Sequence, residues 1–568
     1  MNLKRILSLI LASALILLSA CGGDTDDSTS SDTASGSNTP LDTISLFYNA
    51  NDSLDPYKAE SRYNRALSSL IFDPLVKLDS EFQPQFILAE DITSNGKEYT
   101  VTLNNVSFTD GTAVTADDVV FSLEKALKSQ YTVYQQQLSA IKSYKADGTN
   151  KVIITLSKAD PYFANLLDFP IIKKDSDKLQ DENRIELLPI GSGRYIFDTE
   201  EKVLNVNTAY FNGVPTVKQI QLVNAPDAEV TKYNLEVNNV DIYYTDLSDG
   251  VVPPMAGTVQ SVNLNNLVYL GVNLSNKHLQ STQMRYALAN AVDRTAICND
   301  AYYSYAKPAV GLFNSAWSDV GNLQNLNITA DLENVVANLE EIGYNKKDAE
   351  GFFTDSNNKT VQFKLIVSSE NERRIKCAEA VKAQLEAVGI KIELSVLDWD
   401  KYIEALTYGN FDLYLAEVKL NNNMDVSELI SSNGKLSYGI PDFNPSSQTS
   451  NTNTATKQDK EDEADGTDKT DGDDTDNDGE KVELPSSAVP LIDSAVDGIS
   501  QGELSLVDII NAFNAEIPII PLCHRSGLTI LNPALNTTAM SSVSDIYFGI
   551  TDKLQYNKRR YIYDCLRN

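Results

Sequence analysis

The side chains most often used in catalysis are scarce in this chain. It contains two histidines, His278 and His524, and two distant histidines make a poor transition-metal site. Cys523 precedes His524, but neighbouring residues on a strand point to opposite faces, so the two are poorly placed to work together. Gly191-Ser192-Gly193 is not a nucleophile elbow, and no nucleotide-binding glycine loop occurs. We therefore predict no enzyme, with no catalytic residue, no metal site and no cofactor.

The chemistry that the sequence does indicate is at Cys21. Two basic residues precede an apolar run, residues 6–18, which is too short to span a bilayer and is followed by small residues. This is the pattern of an export signal, and Leu18-Ser19-Ala20-Cys21 resembles the lipobox of bacterial lipoproteins. The resemblance implies a signal peptide over residues 1–20 and lipidation of Cys21, which would anchor the protein to the cell membrane, facing the outside. A secretory signal followed by a chance cysteine is the alternative.

Composition limits the partners and the size of the protein. The 568 residues carry a formal net charge of -32, which argues against binding to nucleic acid by charge attraction. Hydrophobic residues make up 42%, enough for large buried cores. Besides Cys21 there are four cysteines, whose spacing selects none of the three possible pairings, and we expect buried, reduced thiols.

Apolar periodicity predicts alternating helices and strands. Between residues 332 and 418 three helical stretches alternate with three strands, an order that favours an α/β lobe with a partly parallel sheet. Ser281 to Ile297 is predicted as one helix with a single buried face. We expect Asp293 and Arg294, near its end, to hold the helix against a neighbour rather than to take part in catalysis.

Several stretches resemble the family 5 extracellular solute-binding proteins, which include the peptide-, dipeptide- and nickel-binding components of ABC importers. The matching stretches occur in the family's order, and Arg194 stands where the family usually has a proline. They are Phe108 to Val119 (FTDGTAVTADDV), Pro189 to Tyr195 (PIGSGRY), Met284 to Arg294 (MRYALANAVDR) and Ile517 to Leu522 (IPIIPL). The resemblance covers most of the chain from about Thr43 to Leu531.

The resemblance implies an α/β, type II (cluster C) periplasmic-binding-protein fold, with two lobes joined by a hinge and an extra domain. We expect a discontinuous lobe I, with residues 21–42 serving as the lipidated cysteine and its disordered tether. The predicted boundaries are 43–73, 186–275 and 521–568 for lobe I, 74–185 for the extra domain, and 276–520 for lobe II.

The implied function is capture of a solute without bond-making. An open clamp admits an oligopeptide or a peptide-like solute, closes, and delivers it to the permease and ATPase subunits of an ABC importer. A solute drives closure only if it contacts both lobes. We expect a monomer. The alternative is a surface sensory or interaction lipoprotein that reuses the fold without transport.

Four residues are candidates for ligand binding through this resemblance: Tyr244, Tyr269, Lys419 and Asn421. The two tyrosines fall near family positions that face the cleft, although packing in the core of a lobe is an equal interpretation. Peptide-binding members place an aspartate at the position of Asn421 to receive the solute's ammonium group, and here Lys419 lies nearby. Either Asp425 takes over, or the alignment is shifted, or the solute is not an ordinary free-amine peptide.

Residues 444–485 interrupt the globular pattern of lobe II. The stretch is rich in Asp and Glu and nearly free of apolar residues, so we expect a disordered acidic insertion. Asp474 to Gly479 fits the first half of a calcium loop, but Pro485 stands where the loop needs its bidentate glutamate. We therefore expect a solvated linker there rather than a metal site.

Overall fold

The computed structural model describes residues 41–321, 330–441, 487–547 and 549–556. The predicted signal peptide 1–20, the lipidation site Cys21 with nearly all of its tether, and the acidic insertion 444–485 lie outside these described residues. In the parts of the chain that are described, no helix combines the length and the apolar character needed to cross a membrane. The described residues form a mixed α/β structure, as the sequence predicts.

Several helices begin at a capping side chain. Ser61, Asp331 and Asp398 each accept hydrogen bonds from backbone amides in the first turn that follows, and these amides have no partner within the helix. The α-helices are Arg62–Ile71, Ala116–Lys128, Tyr134–Gln137, Ala228–Glu236, Thr282–Ala291, Arg294–Asp300, Ser318–Gly321, Leu332–Glu341, Glu372–Ala387, Trp399–Tyr408, Ser427–Ile430, Pro490–Gln501 and Leu506–Glu516. The 3-10 helices are Phe163–Leu166 and Ser176–Lys178.

The strands form three main sheets. The first contains, in spatial order, Thr43–Tyr48, Gln219–Asn224, Val203–Val206 and Tyr195–Asp198. The second is antiparallel and contains Ala89–Ser94, Glu98–Leu103, Lys151–Leu156 and Ile141–Ala146. The third contains Ile242–Thr245, Ile519–Leu531, Thr258–Val272, Leu413–Lys419, Gln362–Ser368 and Lys391–Leu397, with Ala306–Pro308 beside Ile519–Leu531. Short pairs are formed by Val76–Leu78 with Pro84–Phe86, Lys346–Lys347 with Phe353–Thr354, and Leu535–Asn536 with Gln555–Tyr556.

Two long strands, Thr258–Val272 and Ile519–Leu531, lie in the middle of the third sheet. They pair antiparallel along nearly their whole length, with two register shifts. At one end Ile242–Thr245 pairs with Ile519–Leu531, and at the other end Leu413–Lys419 pairs with Thr258–Val272. One pair of strands thus joins the two halves of the sheet, and the predicted ligand residues Tyr244 and Lys419 lie on its two flanking strands. The predicted domain boundaries stay a prediction.

The other half of the third sheet is parallel. Gln362–Ser368 pairs in parallel with both Lys391–Leu397 and Leu413–Lys419. The connecting helix Glu372–Ala387 buries Ala378, Val381 and Leu385, the apolar stripe that periodicity predicts. The strand-helix-strand order predicted from the sequence is therefore confirmed here, and it places Lys419 at the carboxyl end of its strand.

The prediction of one continuous helix from Ser281 to Ile297 is wrong. The structure has two helices, Thr282–Ala291 and Arg294–Asp300, because Asp293 accepts a hydrogen bond from the amide of Ala296 and caps the second. Arg294 is buried and donates to the carbonyls of Ala289, Val292 and Pro521. The expected architectural role of Asp293 and Arg294 is thus confirmed. The apolar spacing continues from the first helix into the second, so the spacing alone does not reveal the break between them.

Candidate solute-binding site

Two segments far apart in sequence, residues 158–168 and 419–425, lie against each other, and we call this the segment contact. Lys158 Nζ lies 3.0 Å from Asp425 Oδ2. Asn423 Nδ2 donates to Asp160 Oδ2 at 2.6 Å. The first segment follows the antiparallel sheet and the second follows the strand Leu413–Lys419, so the contact joins different parts of the fold. Side chains at its edge are candidates for a site that both parts form.

Asp168 lies at the edge of the segment contact. Its Oδ1 accepts a hydrogen bond from Gln137 Nε2 at 3.0 Å, and its Oδ2 accepts one from Asn422 Nδ2 at 3.4 Å. Burial raises the pKa of Asp168 to about 6, although the hydrogen bond from Gln137 and the positive charge of Lys419 oppose the rise. The side chain is only half-buried, however, so solvent still reaches a carboxylate that protein surrounds closely.

Lys419 supplies positive charge to two carboxylates from different parts of the chain. It is exposed, and its charge helps to lower the pKa of Asp246 and opposes the rise in the pKa of Asp168. Among the described residues, no acidic oxygen lies within 4.0 Å of its ammonium group, so it acts on both through space. An exposed ammonium that acts on two carboxylates and is paired with neither of them can reorganise around a charged solute.

Tyr244 lies on the strand Ile242–Thr245, and Asp246 directly follows that strand. Burial alone would raise the pKa of Asp246, but hydrogen bonds from Ser248 and the charges of Arg525 and Lys419 outweigh it and lower that pKa. Tyr244 is half-buried, and burial together with the Asp246 charge raises the pKa of its phenol. Asp246 therefore interacts electrostatically with both Tyr244 and Lys419, two of the four predicted ligand residues.

Asp425 is one of the alternatives that the sequence left open for the missing aspartate, and that alternative stays open. Asp425 is engaged with Lys158 and also accepts a hydrogen bond from the amide of Ser427 at 3.0 Å. Asn421 is exposed beside Asn422, and its carbonyl accepts from Asn265 Nδ2 at 3.0 Å. Its predicted role in ligand binding stays a prediction.

Tyr269 lies in an aromatic cluster of the core. Its side chain is 3% exposed, and its ring meets that of Tyr414 edge-on, with centroids 5.8 Å apart. Burial raises the pKa of Tyr269 to about 12. Tyr269 is thus part of the packed core, and its predicted contact with ligand stays a prediction.

Sequence reasoning missed Arg525 and Asp168. Arg525 is 3% exposed, and its Nε donates to Glu417 Oε1 at 2.7 Å, which Asn266 Nδ2 also contacts at 2.8 Å. An arginine within a strand that is otherwise buried and mostly apolar was the available signal. For Asp168 the signal was a single charge inside the apolar run Phe163 to Phe169. Neither signal identifies the partner, because the contacts cross more than a hundred residues.

His524 and three of the cysteines are buried in the core. His524 is buried, which lowers its pKa to about 3, so it is neutral at ordinary pH. Cys298, Cys377 and Cys523 are buried free thiols, as expected from the sequence, whereas Cys21 and Cys565 lie outside the described residues. Within the described ranges, no group of three or more His, Cys or acidic side chains is placed to hold a metal ion.

Comparison with known proteins adds to this geometry. A family model described as bacterial extracellular solute-binding proteins, family 5 Middle, matches residues 81–435. The oligopeptide-binding protein AppA of Bacillus subtilis is 24% identical over 365 residues, which cover 61% of this chain and 67% of the relative.

Solved structures show the same fold at low sequence identity. The ABC transporter substrate-binding protein CtaP of Listeria monocytogenes superposes with a TM-score of 0.62 at 18% identity, over 91% of this chain and 100% of that one. An ABC transporter substrate-binding protein of Sinorhizobium meliloti gives a TM-score of 0.66 at 18% identity, over 91% and 100%. These likenesses confirm the fold class that the sequence predicts.

Proposed function

The chain belongs to the family 5 bacterial extracellular solute-binding proteins, and we propose that it captures an oligopeptide or peptide-like solute while anchored to the membrane by lipid on Cys21. As a family member it is a substrate-binding component of an ABC importer of the peptide and nickel type, not an enzyme, and it is secreted or periplasmic. In this proposal a monomer takes the solute between two lobes, and its closed form docks on the permease, where the ATPase subunits drive release.

The observation that carries the proposal is the segment contact with unpaired charges at its edge. Asp168 comes from one side of the contact and Lys419 from the other, and among the described residues neither has an opposite charge within 4.0 Å. A solute that contacts both sides would favour the form in which they meet, because only differential affinity shifts such an equilibrium. Opposite unpaired charges suit a solute that carries both signs, as a peptide does.

Peptide binding can be tested on the full chain, extracted from membranes in detergent. A mixture of short peptides present at about 100 times its dissociation constant should stabilise the protein by about 2.7 kcal/mol, measured as a rise in the unfolding temperature. A mixture of neutral sugars serves as the control and should give no rise. The absence of a shift with peptides would contradict the proposed solute class.

Closure of predicted lobe II against the predicted extra domain should depend on Asn423, which lies in the segment contact. Asn423 and Asp160 are both buried, and Asn423→Ala removes the side-chain donor that satisfies the Asp160 carboxylate. Loss of this hydrogen bond destabilises the form in which the two segments touch. If peptide binds to that form, we expect its affinity to fall about tenfold, the usual effect of a lost hydrogen bond to a buried charge. Titration calorimetry measures this. The exposed Asn357→Ala is the matched control and should bind as the wild type does, whereas equal affinity of Asn423→Ala would contradict closure through this contact.

Lipid anchoring should depend on Cys21 alone. In cells given a radiolabelled fatty acid, the wild-type chain should carry label and remain with the membrane fraction. Cys21→Ser removes the acceptor thiol, so we expect loss of the label and release of the protein, because a single alkyl-chain anchor or none does not hold a protein firmly. Cys565→Ser controls for loss of a cysteine elsewhere. An unlabelled wild type, or a labelled Cys21→Ser variant, would contradict the anchor.

A further inference from the structure

We propose that one end of the first sheet is a membrane-contact surface, where the apolar loop 211–214 and the basic residues that follow Tyr556 bind anionic lipid headgroups. This goes beyond solute capture, and it rests on the proposed lipid anchor at Cys21 for its closeness to a membrane. The partner is the lipid surface that holds the anchor, and the contact orients the protein on that surface.

The residues that lead from the proposed anchor enter the fold at this end of the sheet. The strands Thr43–Tyr48 and Gln219–Asn224 are parallel, so both begin here. The carbonyl of Asp42 accepts a hydrogen bond from the amide of Lys218 at 2.6 Å, and the two side chains are exposed and opposite in charge. The 20 residues between Cys21 and Asp42 span at most about 70 Å, which keeps this end of the sheet within reach of the membrane.

The chain also leaves the described part of the fold at this end. Thr216, which precedes the second of those strands, donates from its Oγ1 to the carbonyl of Asp552 at 3.2 Å. The carboxylate of Asp552 pairs with Arg194 at 3.3 Å, so its charge is compensated. Tyr556, four residues further on, ends the described chain and lies within about 14 Å of Asp552. The residues after Tyr556 therefore begin near the point where the anchored segment enters.

The sequence after Tyr556 is basic, although the whole chain has a net charge of -32. Residues 557–568 read NKRRYIYDCLRN, with four basic side chains, one acidic side chain, and an isoleucine between two tyrosines. Each lysine or arginine beside an anionic lipid surface strengthens binding about fivefold. Tyrosine favours the boundary between lipid and water. The composition of this segment therefore suits an anionic membrane surface.

The described surface at this end of the sheet has an apolar tip. Phe211 and Val214 are 38% and 45% exposed, in the loop that precedes Lys218. A hydrogen bond of 2.9 Å from the amide of Val206 to the carbonyl of Lys218 closes the base of this loop. The acidic turn 198–201 lies at the opposite end of the sheet, because it joins the other ends of its two strands. Apolar side chains next to basic ones, with acidic residues held away, favour contact with a lipid surface.

The contact is tested on the lipidated chain, purified in detergent and reconstituted into vesicles. Phe211→Trp places a fluorescent reporter in the loop, and lipid with a nitroxide on its headgroup quenches tryptophan only at close range. Relative to the parent chain, we expect added quenching in vesicles rich in phosphatidylglycerol. It should be lost in pure phosphatidylcholine and in about 0.5 M salt, which screens the attraction. Tyr408→Trp, at a side chain that is 73% exposed in predicted lobe II, is the matched control and should stay unquenched.

The basic residues are tested in the same reporter chain. Arg559→Gln with Arg560→Gln should weaken the contact about twentyfold, so quenching should fall to its level in neutral vesicles. Lys232→Gln with Lys435→Gln removes two exposed charges elsewhere and should leave quenching unchanged. Undiminished quenching after loss of the two arginines, or no quenching in a reporter chain that floats with the vesicles, would overturn the membrane contact alone. A chain that does not float with the vesicles would overturn the lipid anchor as well.

Discussion

Replacing Asp545 with alanine should lower the free energy of unfolding by about 3–5 kcal/mol, the largest loss that we expect from any single side chain. The carboxylate is fully buried and lies 2.9 Å from both Lys77 Nζ and Arg194 Nη2. It also accepts a hydrogen bond from Ser69 Oγ at 3.0 Å. Removing it takes away a counter-charge that two buried cations share, and weaker compensation of a buried charge is costly.

The network around Asp545 holds distant parts of the chain together. Lys77 also contacts Asp73 at 3.5 Å, and Arg194 also contacts Asp552 at 3.3 Å. Loss of Asp545 should therefore loosen the contact of residues 545–552 with the rest of the fold. Urea denaturation measures the loss, and faster proteolysis near this segment should accompany it.

The pH dependence of the same contribution has a definite sign. Burial opposes the charged form of Asp545, but Lys77 and Arg194 outweigh it and lower its pKa below the ordinary value of 3.8. A group whose pKa is lowered on folding adds stability above its unfolded pKa and loses it as the pH falls through its folded pKa. The wild type should thus lose stability in acid below about pH 4, and Asp545→Ala should lose less over that range.

An exposed ion pair gives the control for this prediction. Asp117 lies 3.2 Å from Lys174, and both side chains are more than half exposed. Asp117→Ala should change the free energy of unfolding by about 1 kcal/mol or less, because exposed pairs contribute little. If Asp545→Ala were no more destabilised than Asp117→Ala, the buried network would have no special role in stability.

Arg194 shows how far a sequence can indicate a contact that it cannot identify. It stands where the family usually has proline, so the sequence marks position 194 as unusual. The partner of Arg194 is Asp545, which lies 351 positions away in sequence, whereas Arg194 Nη2 and Asp545 Oδ2 are 2.9 Å apart. Local patterns carry no information about such a pairing, whereas they do carry the alternation that predicts Gln362–Ser368 and Leu413–Lys419 as strands.

The same distinction applies to the site. Tyr244 and Lys419 could be named because motifs placed them, and the structure links both to Asp246 through its charge. Asp168 could not be named, because its surroundings include Asn422, which contacts it across the segment contact and is distant in sequence. The break at Asp293 was missed for a related reason, since a cap on a new helix and a polar residue within an old one look alike in a single sequence.

Gly193→Ala should lower the free energy of unfolding by about 3 kcal/mol, close to the upper limit for overpacking. A Cβ on Gly193 would lie 2.4 Å from the carbonyl carbon of Ile71 and 2.5 Å from the carbonyl oxygen of Leu70. These are backbone atoms at the end of the helix Arg62–Ile71, so rotation of a side chain cannot relieve the clash. The amide of Gly193 also donates to the Ile71 carbonyl at 2.9 Å, which holds the two chains at this short distance.

A second glycine separates the clash from the ordinary cost of replacing glycine. Gly148 has a φ of +73° with open space around its Cβ position, so Gly148→Ala should cost only about 1 kcal/mol, from the left-handed backbone alone. Both variants are compared by urea denaturation of the full chain. Equal losses would mean that the helix end moves away at little cost. A loss about three times larger for Gly193→Ala would show that glycine at position 193 is required for close packing of backbone on backbone.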